Sequence, residues 1–160
     1  MKLAFAIVTV AGIAIGLALP AAKRAPAVAA TAPAAPAEAT PVPTVIDRAP
    51  SGHFLTVANV NDEPIRFVVD TGADTVALTQ DDARRAHIAF DPAHFEVIGR
   101  GASGPVRGQA VRIAGIDLDG KRASDISGVV LAESDVSLLG QSYLRHMSTV
   151  SISGDTMRID

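Results

Sequence analysis

The chain has 160 residues, a length that suits one domain of ordinary size, and 48% of them are hydrophobic. Its formal net charge is −3, and no segment concentrates lysine and arginine as binding to nucleic-acid phosphates requires. The chain has no cysteine, which excludes disulfide bonds, thiolate metal sites and a cysteine nucleophile. The histidines lack metal-ligand spacing, so we expect no metal site. We also expect no cofactor and, without a basic cluster, no nucleic-acid partner.

Residues 3–22 carry no charge and are numerous enough to cross a hydrocarbon core of about 30 Å as a helix. We therefore predict a signal-anchor or transmembrane segment over residues 1–24, in contact with the membrane through residues 3–22. A cleaved secretory signal is the alternative, because Ala27-Val28-Ala29 fits a small-x-small cleavage site.

The orientation of this segment does not follow from charge, because Lys2 and the amino terminus oppose Lys23 and Arg24. The common arrangement of an N-terminal signal-like segment places the rest of the chain outside. We expect an inner-membrane anchor with the domain in the periplasm, or a secreted domain if the signal is cleaved. Residues 25–46 are rich in Ala and Pro and predict a semi-rigid linker, which leaves residues 47–160 as the folded domain.

Short segments of alternating apolar and polar residues fill the domain, and Gly, Asp and Asn separate them. Asn61-Asp62 predicts a hairpin turn, and brief helices are expected over residues 79–87 and 141–147. The predicted strands cover residues 53–60, 64–69, 75–78, 94–98, 109–118, 126–131, 148–153 and 156–159. This pattern predicts an all-β closed barrel or sandwich with one or two short helices, preceded by an N-terminal apolar helix.

One apolar run, Phe67-Val68-Val69, ends in Asp70-Thr71-Gly72-Ala73 before apolar sequence resumes. A carboxylate directly after a buried strand is partly desolvated, and Gly72 lets backbone amides approach it closely. The hydroxyl of Thr71 can brace a neighbouring loop. A plain turn is the alternative interpretation, since all three residue types suit turns. The apolar residues on both sides favour a functional site instead.

Asp70 to Ala73, with Val76 and Leu78 after them, resembles the active-site signature of aspartic proteases. A second element, residues 137–144, is similar to the strand that threads behind the catalytic loop in that family. The chain holds a single Asp-Thr-Gly, whereas the two-lobed pepsin-like enzymes carry two. The resemblance is therefore to the single-lobe, retropepsin-like branch, and to bacterial members with an N-terminal membrane anchor.

The resemblance implies an aspartic endopeptidase that cleaves a polypeptide with water activated by two aspartates, one from each subunit of a homodimer. Asp70 would be the catalytic residue. The loop around it would be supported by Thr71, Gly72, Ala73, Leu138, Leu139 and Gly140. A mobile flap would close over the peptide, and its candidate residues are Gly99, Arg100, Gly101, Ala102, Ser103 and Gly104.

The sequence departs from many retroviral members at one position. Gln141 stands where an arginine pairs with the acid after the alanine, so Asp74 needs another partner, for which Arg66 and Arg145 are candidates. Two alternative functions stay open: a non-catalytic peptide-binding or scaffolding module of the same fold at the cell envelope, and a protease that cuts only its own linker.

The glycines at 99, 101 and 104 also match the dinucleotide-binding pattern, which requires a helix to begin at the glycines. Pro105 and the alternating residues 109–118 predict a strand there, so we do not expect a nucleotide site.

Overall fold

The computed structural model describes residues 40–101 and 104–160. The predicted apolar helix and most of the predicted linker lie outside the described residues. Within these two ranges, no helix is long and apolar enough to cross a membrane.

Ten strands, two short α-helices and one 3-10 helix are present in the described part of the chain. The first half contains β1 (Thr44–Asp47), β2 (Leu55–Val60), β3 (Glu63–Val69), β4 (Val76–Leu78), α1 (Gln80–Arg85) and the 3-10 helix (Pro92–His94). The second half contains β5 (Glu96–Gly101), β6 (Gly104–Leu118), β7 (Lys121–Leu131), β8 (Ser137–Leu139), α2 (Gln141–Leu144), β9 (Val150–Ser153) and β10 (Thr156–Ile159).

Six strands close into a barrel in the order β2, β3, β8, β4, β7, β6, and β6 pairs back with β2. Two of the pairings are parallel, β3 with β8 and β4 with β7. A separate three-stranded antiparallel sheet has the order β1, β10, β9. The predicted all-β fold with a closed barrel and short helices is therefore confirmed for the described residues.

Two hairpins have the tight two-residue turns that the right-handed twist of strands favours. Asn61 and Asp62 join β2 to β3 with φ values of 50° and 70°. Asp119 and Gly120 join β6 to β7 with φ values of 52° and 81°. The second turn was not predicted from the sequence, and it makes β7 begin at Lys121, five residues before the predicted strand.

The core lies inside the barrel and is built from alternate residues of its strands. In β3, Ile65 and Phe67 are fully buried and Val69 is nearly so, while the residues between them are more exposed. Burial of such side chains contributes about 2 kcal/mol each relative to exposure. Because β3 is fixed along its length, the position of Asp70 at its end is fixed as well.

Other sequence-predicted boundaries also differ from the structure, and three of them affect the organisation of the chain. The predicted linker, residues 25–46, overlaps β1, which pairs with β10 at the far end of the chain. The predicted strand over 94–98 is replaced by the 3-10 helix and a β5 that starts two residues later, because Asp91 caps that helix by accepting from the Ala93 amide. The helix predicted over 141–147 ends at Leu144.

Candidate active site

Asp70 lies in the turn directly after β3 and is half-buried. Its backbone amide donates to the carbonyl of Leu139 at 3.1 Å, which ties the start of the turn to β8. The amide of Gly72 donates to Oδ1 of Asp70 at 2.8 Å, and the amide of Ala73 donates to the Asp70 carbonyl at 3.3 Å. The carboxylate is therefore oriented by the backbone of its own turn. We call residues 70–76 the active-site loop.

The strand β8 runs behind this loop, as the resemblance of residues 137–144 to the family's second element predicts. Val68 and Val69 pair with Leu138 and Leu139 in parallel register. Leu139 is fully buried. The chain then passes under the loop at Gly140, whose backbone approaches the Ala73 and Thr75 carbonyl groups so closely that a Cβ atom would collide with both.

The helix α2, which follows Gly140 directly, also holds the loop. The backbone amide of Gln141 donates to the Ala73 carbonyl at 2.8 Å, and its side-chain Nε2 donates to the Thr71 carbonyl at 2.8 Å. The buried Ser142 hydroxyl accepts from the Val76 amide at 2.9 Å. Sequence reasoning missed Ser142, because a serine after glycine and glutamine carries no local signal of a partner 66 residues away.

At the position where the resemblance implies an arginine, this chain has Gln141, which makes neutral hydrogen bonds to the loop backbone. The expected partners of Asp74 are not found among the described residues: neither Arg66 nor Arg145 forms an ion pair with it. Arg145 Nε instead donates to the Gln141 carbonyl at 3.1 Å. Asp74 is exposed.

Among the described residues, the hydroxyl of Thr71 braces no neighbouring loop within one subunit, so its predicted bracing role stays a prediction. The residue is exposed, and within the described ranges its hydroxyl makes no hydrogen bond. Only its carbonyl group is held, by Gln141. The support of the loop inside one subunit therefore comes from the backbone and α2.

A polar contact fixes the start of β8. The Ser137 hydroxyl donates to Oδ2 of Asp82 at 2.5 Å and accepts from the Thr79 amide at 3.1 Å. Burial raises the pKa of Asp82, but hydrogen bonds from Ser137, Arg85 and Thr79, with the charge of Arg85, outweigh it and leave the pKa below its ordinary value. An ionised Asp82 thus links α1 to the strand that supports Asp70.

The flap candidates that the structure describes lie in a hairpin formed by β5 and the first part of β6. Gly99 pairs with Val106, Arg100 with Pro105, and Gly101 with Gly104. Ala102 and Ser103 fall outside the described residues. All of β5 is exposed, and a β-bulge interrupts its register between Val97 and Gly99. The glycines lead into a strand, so the geometry that a dinucleotide site needs is absent from the described residues here.

A cavity of about 330 Å³ lies beside the part of this hairpin near its tip. It is lined by hairpin residues on one side and by Ala132 and Glu133, which follow β7, on the other. Arg107, also in the lining, is held by a hydrogen bond from its Nη2 to the Phe95 carbonyl at 2.8 Å. In the described part of the chain, no group of His, Asp or Glu side chains is arranged to hold a metal ion.

Comparisons with known proteins identify the family and the fold. The family described as "gag-polyprotein putative aspartyl protease" matches residues 56–146, which is more than half of the chain. A crystal structure of a retropepsin-like aspartic protease from Rickettsia conorii aligns with a TM-score of 0.61 and 31% identity, over 74% of this chain and 89% of that one.

Two curated relatives carry no functional description in their names. "Uncharacterized protein in cobV 5'region" from Sinorhizobium sp. is 34% identical over 72% of this chain and 50% of its own length. "Uncharacterized protein RP867" from Rickettsia prowazekii (strain Madrid E) is 32% identical over 71% of this chain and 49% of its own length. The chain spans about half the length of these relatives. With the family match and the fold, these findings show that the chain belongs to the retropepsin-like aspartic proteases.

Proposed function

We propose that this protein is an aspartic endopeptidase that acts as a homodimer, with Asp70 of each subunit in the catalytic pair. The observation that carries the proposal is the placement of Asp70. Its carboxylate stands at the end of a barrel strand, accepts the Gly72 amide at 2.8 Å, and belongs to a loop that Gly140 and α2 hold from behind. The family and its fold support a peptidase.

The chemistry requires two carboxylates in contact, which share one proton because both cannot easily ionise at short range. The ionised carboxylate takes a proton from a bound water, and that water attacks the peptide carbonyl carbon. The protonated carboxylate donates a hydrogen bond to the developing oxyanion. Each half of the pair therefore needs an oriented aspartate, and this chain contains one Asp-Thr-Gly.

A second copy of the chain supplies the other aspartate in this proposal. The sheet of β1, β10 and β9 offers a site for such a contact, because β9 pairs on one side only among the described strands. Ser151, Ile152 and Ser153 are exposed, and no lysine or proline protects this edge. Edge strands without such protection readily pair with another chain. The exposed Thr71 hydroxyl is likewise free to contact a partner near the two aspartates.

We further propose that residues 3–22 anchor the protein in the inner membrane and that the folded domain faces the periplasm. The uncharged sequence of residues 3–22 supports this proposal. A secreted domain, released by cleavage near residue 29, is the competing arrangement.

The function is tested by incubating the full chain with a diverse peptide library at several pH values, with and without pepstatin, an inhibitor of aspartic proteases. We expect cleavage that pepstatin blocks and that follows a bell-shaped dependence on pH, because only the singly protonated pair is active. Peptides that bind without being cut would identify the non-catalytic module instead. Cleavage that is confined to residues 25–46 of the chain itself would identify an enzyme that processes only its own linker.

A further inference from the structure

A buried lysine holds the segment that leads into β1. Lys121 is only 7% exposed, although lysine is rarely buried without partners. Its Nζ donates to the Val42 carbonyl and, at 2.8 Å, to Oγ1 of Thr44. The Thr44 hydroxyl donates in turn to Oδ2 of Asp119 at 2.5 Å, and the Val42 amide donates to the Asp119 carbonyl at 3.0 Å. We call residues 42–44 the leading segment.

The charge on Lys121 is costly in this position. Burial lowers the pKa of Lys121, and the carboxylates of Asp119, Asp160 and Asp117 oppose the change. A buried amino group is tolerated where its donors find acceptors, and here the Val42 carbonyl and the Thr44 hydroxyl accept from it. The particular contribution of the lysine is therefore its set of donors, which fixes the leading segment against the β6–β7 turn.

The same residue contacts the support of the active site through its backbone. The Tyr143 hydroxyl, which is fully buried, donates to the Lys121 carbonyl at 2.6 Å. Tyr143 follows Gln141 and Ser142 in α2, and those two residues bind the carbonyl groups of Thr71 and Ala73 and the amide of Val76. Three consecutive residues of α2 thus join the active-site loop to Lys121.

We propose that Lys121 and Tyr143 are positioning residues that couple docking of the leading segment to the shape of the active-site loop. The loop keeps its shape while residues 42–44 are held, and loosens when they are released. Proteolytic removal of the N-terminal part of the chain must then occur before Val42 if the enzyme is to stay active. This proposal rests on the proposed function in one respect, since it takes residues 70–76 to be the loop that carries the catalytic Asp70.

The test is hydrogen exchange of the full chain, measured by mass spectrometry, in the variants Thr44→Val, Tyr143→Phe and the double variant. Each single variant removes one hydroxyl and keeps the shape of the side chain. The matched control is Arg112→Met in the same β6–β7 hairpin, where the exposed Arg112 pairs with Asp125 and Ser127. Peptidase activity is measured in parallel.

We expect each single variant to speed exchange of residues 70–76 about tenfold, the effect of losing one hydrogen bond. Exchange of residues 111–116 in β6 stays unchanged, and the control changes neither region. The double variant exchanges no faster than the faster single variant, because both hydroxyls act on one path. Where the wild-type chain is active, we expect the kcat of each single variant to fall while its KM changes little.

Three results would overturn the coupling. Exchange that rises equally in β6 would show a general structural role. Unchanged exchange at residues 70–76 would show that the loop is independent of the leading segment. Additive effects of the two substitutions in the double variant would show two separate contacts. A wild-type chain without peptidase activity would contradict the proposed function but would leave the exchange test intact.

Discussion

Gly140 lies so close beneath Thr75 that a Cβ atom added at Gly140 would stand 2.2 Å from the Thr75 carbonyl oxygen. The Ala73 carbonyl oxygen would be 2.8 Å away. Both contacts are with backbone atoms, which cannot rotate out of the way as a side chain can. The active-site loop and the chain beneath it therefore fit together only with glycine at this position.

We expect Gly140→Ala to abolish peptidase activity and to lower the free energy of unfolding by about 3 kcal/mol, because either the loop or α2 must move. Chemical denaturation and a peptide cleavage assay check this. Gly115→Ala is the control, since the nearest atom to its new Cβ would be the Ala123 carbonyl oxygen at 3.9 Å. Wild-type activity in a stable Gly140→Ala variant would show that the packing under the loop is not required.

Asp70→Asn should remove peptidase activity and leave the fold intact, because an amide cannot take a proton from the attacking water. Circular dichroism and thermal unfolding check the fold, and peptide cleavage checks the activity. Asp62→Asn is the control: Asp62 is an exposed turn residue with a φ of 70°, a conformation that asparagine adopts readily. Residual cleavage by a well-folded Asp70→Asn variant would show that a residue other than Asp70 is catalytic.

Activity per mole of protein should fall on dilution, because the proposed catalytic pair exists only in the dimer. Excess Asp70→Asn chains should also inhibit the wild type by forming mixed dimers with one ionisable carboxylate. Cleavage rates across a dilution series, with sedimentation at the same concentrations, check this. An active species that sediments as a monomer would contradict the homodimer.

Acid should weaken the link between α1 and β8. The pKa of Asp82 is lowered in the folded protein, so its contribution to stability is present above about pH 4 and is lost as the pH falls through the lowered pKa. We expect Asp82→Asn to cost about 1–2 kcal/mol near neutral pH and progressively less on acidification. Denaturant titrations across pH measure this.

The neighbouring Asp81 provides the matched control for that experiment. Its side chain is 91% exposed and, among the described residues, pairs only with Arg84 on the same helix, whereas the side chain of Asp82 is 14% exposed. Asp81→Asn should therefore leave stability nearly unchanged at every pH. Equal effects of the two substitutions would show that general charge, not the contact with Ser137, stabilises the fold.

The full chain should remain with the membrane after a carbonate wash, because an apolar helix is not released by disrupting ionic contacts. Removal of residues 1–39, which leaves the leading segment intact, should place the protein in the soluble fraction. Fractionation and immunoblotting check both. Full-length expression that yields a soluble periplasmic protein beginning near residue 30 would establish a cleaved signal.

The part of the site that could be predicted from sequence is the part encoded by adjacent residues. The apolar run that ends in Asp70, Thr71 and Gly72, and the pair of leucines before Gly140, are local patterns, and the structure places them together. The N-terminal cap of α1 is also local, and the Thr79 hydroxyl accepts from the Asp82 amide as expected of a cap.

Features that depend on distant partners could not be predicted in this way. Most of β1 falls within the predicted linker, because the composition of residues 25–46 gives no sign of the pairing between Thr44 and Ile159. The start of β7 is polar, and its extended conformation comes from pairing with β6 rather than from its own residues. The contact of Tyr143 with Lys121 requires the barrel to be closed before the two residues meet.

The pairing of Thr44 with Ile159 places the first and last strands of the folded domain side by side in one sheet. Both ends of the domain therefore leave from the same region of the surface. If the two copies meet at this sheet, as proposed, a linker from residue 160 of the first copy reaches the start of the second without crossing the barrel. In such a fusion the two aspartates belong to one chain, and each half can be altered without the other.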